Sequence, residues 1–214
     1  KLSRENLPAV EKGCENLAKH IENVLLHGIN PVVVINRYPT DTPAELELIK
    51  EKGLQAGASA VVTHEGWAKG GEGTKDLAQA VVDVIEAGGN NYHPLYDWSL
   101  SIEDKIKTVA TEIYGASHIE YSAKAKTQLR EYAKLGFDKF PICVAKTQKS
   151  FSDDEKKIGR PTNFTITIRE FEVAAGAGFV VPILGEMMRM PGLPAVPAAE
   201  GMDIDNDGNI TGLS

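Results

Sequence analysis

Two short stretches hold the residue types with the most chemical potential. One is Asn36-Arg37-Tyr38-Pro39-Thr40-Asp41-Thr42, and the other is Thr63-His64-Glu65-Gly66-Trp67-Ala68-Lys69-Gly70-Gly71-Glu72-Gly73-Thr74. Each follows a run rich in β-branched residues, and each carries one large aromatic side chain, Tyr38 or Trp67. In an open α/β sheet ligands bind beyond the carboxyl ends of the strands, so both rings are expected at one sheet edge. Two flat faces there can grip a heteroaromatic ligand by stacking worth about 0.5–1.5 kcal/mol beyond burial. The structural alternative is a pair of rings that lids the core. Gly70, Gly71 and Gly73 ahead of a helix allow close backbone approach and leave N–H groups free for an anion. The order G-x-x-x-x-G-K-[ST] is absent, however, and a glycine-rich turn entering a helix is more often only a turn. Asn36 at a strand end can read a nucleotide base, although an Asn there more often closes a turn through its own backbone.

Metal chemistry is poorly encoded. Asp203-Ile204-Asp205-Asn206-Asp207-Gly208-Asn209-Ile210 copies the first eight positions of an EF-hand calcium loop. Position twelve is Ser214 where a bidentate Glu belongs, and the proline-rich tract before the loop supplies no entering helix. An acidic turn between two short strands is therefore expected, without specific calcium binding. The histidines at 20, 27, 64, 93 and 118 never fall at i, i+4 on one helix or beside a cysteine, so no metal site is expected. His27 suits the C-terminal end of a helix, and only His64 is placed to see a ligand at the aromatic loops. Cys14 and Cys143 are too few for a disulfide framework or a zinc site, which fits a reducing cytoplasm.

The elements that must position these loops follow from periodicity. Leu7, Val10, Cys14, Leu17, Ile21 and Val24 recur at steps of three and four, the spacing of a helix stopping at Gly28. Residues 32–35 form an apolar β-branched run, which predicts a strand buried on both faces of a parallel sheet. Thr42, Pro43 and Glu45 form a capping box that opens a helix towards Gly53. Residues 58–63 read as a second buried strand, and Leu77, Val81, Val84 and Ile85 mark a helix ending at Gly88. The turn-forming segment 90–94 is the expected boundary between a first unit, 1–92, and a second, 93–214. In the second, Ser101 caps a helix up to Gly115, another helix carries Leu129 and Tyr132, and 140–145 is expected to be a strand. Phe164, Ile166 and Ile168 alternate with polar residues as a half-buried antiparallel strand does, with 179–184 as its neighbour and an irregular tail spaced by Pro191, Pro194 and Pro197. The predicted fold is α/β: part of a doubly wound, mostly parallel sheet followed by a smaller α/β unit with antiparallel strands. A helix-first start with only two strands before residue 90, and a first residue other than Met, suggest that more sheet lies upstream in a longer polypeptide.

Composition narrows the partners. The 214 residues include 23 Lys and Arg against 30 Asp and Glu, a net charge of -7, the wrong sign for a general binder of nucleic acid or anionic membrane. The longest charge-free apolar stretch, 173–185, contains Pro182 and three glycines and cannot span a hydrocarbon layer of roughly 30 Å. The first residues lack the basic-then-apolar order of a secretory signal, so a cytoplasmic location is expected.

With these loops aligned, the sequence resembles the C-terminal part of formate–tetrahydrofolate ligase along its whole length. The resemblance is carried by Val33-Val34-Ile35-Asn36-Arg37-Tyr38-Pro39-Thr40-Asp41-Thr42, by Glu65-Gly66-Trp67-Ala68-Lys69-Gly70-Gly71-Glu72-Gly73, by Leu95-Tyr96-Asp97 with Glu103-Asp104-Lys105-Ile106, by Pro141-Ile142-Cys143-Val144-Ala145-Lys146-Thr147-Gln148, and by Gly176-Ala177-Gly178-Phe179 with Met190-Pro191-Gly192-Leu193-Pro194. It implies a P-loop-NTPase-like fold and an enzyme that couples ATP cleavage to joining formate and tetrahydrofolate through formyl phosphate. The substrates would be ATP with Mg2+, formate and tetrahydrofolate, and the enzyme a homo-oligomer. It also implies that Tyr38, where the family usually has Phe, and Trp67 sandwich the pterin side of the folate. Asn36 lies where related P-loop proteins recognise the base, so Asn36 and Thr63 are expected nucleotide contacts. Lys146, Arg169 and 176–179 match family motifs without an assigned role. The family's P-loop is missing from this sequence, so the phosphate-holding half would lie upstream, this part would hold no catalytic residue, and alone it would be inactive. A non-catalytic folate- or nucleotide-binding domain is the alternative, and a purely structural or calcium-binding module a third reading.

Overall fold

The computed structural model describes residues 4–185, 195–208 and 210–212; the expected motif at 190–194, with Pro191 and Pro194, and position 214 of the acidic loop lie outside the described residues. Helix α1 (Leu7–Leu25) is capped by Asn6, whose side chain accepts from the Ala9 N–H, and buries Cys14 and Ile21. Strand β1 (Val32–Asn36) pairs in parallel with β2 (Ala60–His64) through the crossover helix α2 (Pro43–Gln55). The capping box forms as read: Thr42 Oγ1 accepts from the Glu45 N–H at 3.3 Å, and the Glu45 carboxylate accepts from the Thr42 N–H at 3.2 Å. Helix α2 runs past Gly53 to Gln55, beyond the expected stop. Gly53 serves contact instead, because a Cβ there would lie 2.8 Å from Val61 Cγ2. Helix α1 packs against the sheet face bearing Val33, Ile35 and Val61, while α4 (Lys75–Ala87) lies by Ala60 on the other.

The reading of β1 as buried on both faces is corrected. Val34 is 44% exposed, and α4 leaves Val81, Val82 and Ile85 exposed as well. The physical reason is lateral: β1 and β2 have no other strand beside them among the described residues, so α4 covers its face of the two-stranded sheet only in part. Between β2 and α4, the chain makes a one-turn helix α3 (Gly66–Lys69) and a 3-10 turn (Gly70–Thr74).

The larger core lies in the second half. Helix α5 (Ile102–Thr108), capped by Ser101, continues into a widened π-helical turn (Val109–Tyr114) that ends at Gly115 in the left-handed region. Strand β3 (His118–Tyr121), which the sequence reading does not contain, pairs in parallel with β4 (Thr165–Ala174), and β4 pairs antiparallel with β5 (Phe179–Leu184). A bulge between Ile168 and Glu170 shifts the alternation by one, so Ile166 and Ile168 point inward and then Phe171 does. Helix α6 (Ala123–Lys134), capped by Ser122, packs on β4. The expected strand 140–145 makes only isolated bridges to β5, at Ile142 and Ala145. Ala145 N–H donates to Pro182 O at 2.9 Å, but Pro182 has no N–H to return, so the ladder breaks there.

The architecture is α/β with both parallel and antiparallel pairs. The acidic tail forms a hairpin of β6 (Asp203–Ile204) and β7 (Ile210–Thr211). No helix among the described residues is long and apolar enough to cross a membrane.

Candidate functional site

The register of β1 on β2 sets Asn36 beside His64, so the two chemistry-bearing loops leave the sheet from adjacent positions. The Arg37 N–H donates to the His64 carbonyl at 3.1 Å and carries the ladder one residue further. Tyr38 follows at once. Its N–H donates to Asp41 Oδ2 at 2.7 Å and its carbonyl accepts from the Asp41 N–H at 3.1 Å, a tight turn that holds the ring off the strand end.

Trp67 approaches from the other loop. The rings of Tyr38 and Trp67 lie 6.2 Å apart, centroid to centroid, and are inclined by only 20°. The structure thus brings the two expected aromatics together at the edge where a ligand enters such a sheet. They are 57% and 58% exposed, so as a lid they would bury little. A flat ligand between two walls needs about 3.5 Å on each side.

The loop carrying Trp67 is braced by charge. Glu65 meets Arg37 Nη1 at 3.2 Å and Lys69 Nζ at 2.6 Å. The hydrogen bond from Lys69, with the positive charges of Lys69 and Arg37, holds the Glu65 carboxyl below the usual carboxylate range against a smaller desolvation effect. Two glycines make the turn possible for steric reasons. A Cβ on Gly66 would lie 2.6 Å from His64 Nε2, and one on Gly73 would lie 2.5 Å from the Glu65 carbonyl oxygen. The Gly73 carbonyl in turn accepts from the Glu65 N–H at 3.1 Å. The glycines therefore close the loop on itself.

The remaining expected contacts separate. Asn36 shares its sheet face with His64, whose Nδ1 lies 3.5 Å from Asn36 Oδ1. Thr63 is paired with Ile35 and projects to the opposite face, so one small group on one face cannot meet both side chains. Arg37, Glu65 and Lys69 were not singled out in the sequence, although the i, i+4 spacing of Glu65 and Lys69 marks a helical ion pair. Among the described residues, no group of three or more His, Cys, Asp or Glu side chains could hold a metal ion. In the acidic tail, Asp205 Oδ1 accepts from the Asp207 N–H at 3.0 Å, as an Asx-type turn does.

The geometry at these strand ends belongs to a chain whose full length, residues 1–214, matches the family model described as formate–tetrahydrofolate ligase. Since that match spans every residue, the chain belongs to the formate–tetrahydrofolate ligase family.

Proposed function

We propose that this chain is the folate-stacking, C-terminal part of an enzyme that joins formate to tetrahydrofolate at the expense of ATP. Membership of the family makes it a ligase of that class. Formate takes the γ-phosphoryl group from ATP to give formyl phosphate, and ADP leaves. The folate N10 amine then attacks the formyl carbon, the C–N bond forms, the C–O bond to phosphate breaks, N10 gives up its proton to the departing phosphate or to water, and 10-formyltetrahydrofolate and phosphate leave. Phosphoryl transfer rests on positioning and charge neutralisation by a P-loop with its Mg2+, and G-x-x-x-x-G-K-[ST] does not occur in this sequence. In this reading a P-loop half of the same polypeptide supplies that chemistry. Residues 1–92 would extend its doubly wound sheet, residues 93–214 would form the smaller unit, and the enzyme would be a homo-oligomer. Asn36, rather than Thr63, is the better placed of the two for a base, because it shares its face with His64 at the strand ends.

The observation that carries the folate assignment is the near-parallel pair Tyr38 and Trp67. Two aromatic faces on one strand edge suit a conjugated ligand and give a small formate ion nothing to hold. The test is fluorescence titration with tetrahydrofolate, in the chain with Trp98→Phe so that Trp67 is its only tryptophan, and in the complete enzyme with and without Trp67→Phe, the signal lost in that variant being that of Trp67. Saturable quenching is expected. A Trp67 signal that ignores saturating folate in the complete enzyme would exclude the slot. Assay of the chain alone for ATP-, formate- and folate-dependent product is expected to give none, and a rate like that of the complete enzyme would refute the division of labour.

A further inference from the structure

Helix α1 presents a second stripe beside its apolar one, Asn16, His20 and Asn23, which His27 in the turn just past the helix continues at steps of four, three and four. This polar stripe faces the second half of the chain. Asn16 Nδ2 donates to Gly159 O at 2.9 Å, and the His20 ring stacks at 4.7 Å, tilted, on Phe151. Arg160 forks onto the Glu22 carboxylate with two bonds of 2.7 Å, which ties the halves at the same seam. Between these ties a cavity of about 720 Å3 remains, the size of a small-molecule site.

Its far wall is irregular backbone. A π-helical turn is rare and concentrates at functional sites, and the one at Val109–Tyr114 places Val109, Ile113 and Tyr114 on the cavity. Carbonyls in this turn are capped from α1: Lys19 Nζ donates to Glu112 O at 2.6 Å, and Asn23 Nδ2 donates to Ile113 O at 3.1 Å. Asn23 Oδ1, by contrast, is buried and accepts nothing, the one such side-chain atom found among the described residues. It is shielded from solvent, so it lies behind the cavity wall rather than on it and offers the cavity no acceptor.

Charge distinguishes this wall from the rest of the molecule. The chain has more acids than bases, yet the cavity is lined by Lys146 and Lys149, with the imidazoles of His20 and His27, and by no Asp or Glu. Burial, with the charge of Lys146, holds His20 below the usual imidazole range, so the positive charge here is that of the lysines. Lys149 is engaged at the rim by Glu155 at 2.8 Å. Lys146 is half-buried, donates to the carbonyls of Thr147 and Ser150, and sits 4.9 Å above the Tyr114 ring centre. An ammonium has three donors, so one is left for a ligand. Tyr92 and Tyr96 complete the wall with flat faces, Tyr92 lying 6.3 Å from the His27 ring.

We infer that this cavity is a second small-molecule site, which takes a planar ring that carries an anionic group, the anion on Lys146 and the ring against the tyrosines. It shares no residue with the loops of Tyr38 and Trp67. The anionic group can be a carboxylate or a phosphate, and the probes separate the two. Calorimetric titration of the chain with anthranilate and with adenosine monophosphate is compared with the neutral anthranilamide and adenosine. At least one anion is expected to bind below about 1 mM and about tenfold more tightly than its neutral counterpart. Selectivity for anthranilate assigns the carboxylate, and selectivity for the nucleotide assigns the phosphate. Lys146→Gln should weaken that anion about tenfold, and Tyr92→Ala, at a residue 69% exposed whose truncation leaves the core intact, should weaken it several-fold. Trp67→Ala should leave it unchanged. The proposal falls if neither anion outbinds its neutral counterpart, if Tyr92→Ala and Lys146→Gln both bind as the parent does, or if Trp67→Ala abolishes binding.

Discussion

The indole N–H of Trp67 donates to the backbone carbonyl of Arg37 at 2.7 Å, one residue before Tyr38. The aromatic of the β2 loop is thereby fastened to the backbone of the β1 loop. Ring spacing is then set by a hydrogen bond and by the Arg37–Glu65–Lys69 ion group, with ring attraction adding to both.

Trp67→Phe separates these contributions. Phenylalanine keeps a flat face and removes the N–H, so the loop loses its tie to Arg37. The folate affinity of the complete enzyme is expected to fall several-fold, less than in Trp67→Ala, since a neutral hydrogen bond nets about 1 kcal/mol. Equal losses in the two variants would mean that the tie alone matters, and no loss in Phe would mean that it does not.

Gly73→Ala tests whether the turn is shaped by sterics. The added methyl would sit 2.5 Å from the Glu65 carbonyl oxygen, which is backbone and cannot swing away. A stability loss of about 1–3 kcal/mol, or a displaced Trp67 loop with reduced folate affinity, is expected. Gly71→Ala has open space around it and serves as the control. Denaturant midpoints that coincide for the two variants, with unchanged folate binding, would remove the steric argument.

Lys105 is a fully buried lysine, with Nζ donating to the carbonyls of Lys139 and Phe140 at 3.0 Å each. Lys105→Ala is expected to cost more than Lys105→Met, because alanine leaves a cavity and two orphaned carbonyls while methionine leaves only the carbonyls. Burial, helped by Lys139, pushes the Lys105 ammonium below the usual lysine range, against the pull of Asp138 and Asp97. Between that lowered folded value and the unfolded 10.5, the unfolded chain binds more protons, so stability relative to Lys105→Met should rise with pH across that window. Denaturation curves for the parent and Lys105→Met at a series of alkaline pH values would show it, and a difference that shrinks as pH rises would contradict the sign.

Local signals were legible and long-range ones were not. Thr42, Pro43 and Glu45 announce a helix start because every partner lies within three residues. Phe164, Ile166 and Ile168 announce β4, but the bulge before Glu170 depends on its pairing with β5. Strand β3 has four residues, one of them Glu120, and is a strand because β4, more than forty positions later, pairs with it. Lys105 looks like a solvated helical position, and its burial follows from carbonyls supplied by a distant segment. At the candidate site, residue types showed where Tyr38 and Trp67 would emerge. The Trp67–Arg37 tie and the opposite facing of Asn36 and Thr63 required the register.

Tyr38→Ala and Trp67→Ala in the complete enzyme are each expected to raise the folate KM by about one order of magnitude, at about 1.4 kcal/mol per tenfold, while ATP-dependent formation of formyl phosphate is less affected. Their losses should not add. The rings are near-parallel with centroids 6.2 Å apart, so if they share one ligand, removing one wall already leaves one face of it wet, and the second removal takes away a contact that the first has weakened. Trp98 is 58% exposed, as Trp67 is, but lies outside both loops, so Trp98→Ala controls for the loss of an exposed indole. The comparison thus holds exposure and side-chain volume fixed and varies only position. A normal folate KM in Trp67→Ala, strict additivity in the double variant, or an equal defect in Trp98→Ala would each break the slot model at a different point: the first removes the wall, the second the shared ligand, and the third the specificity of the strand edge.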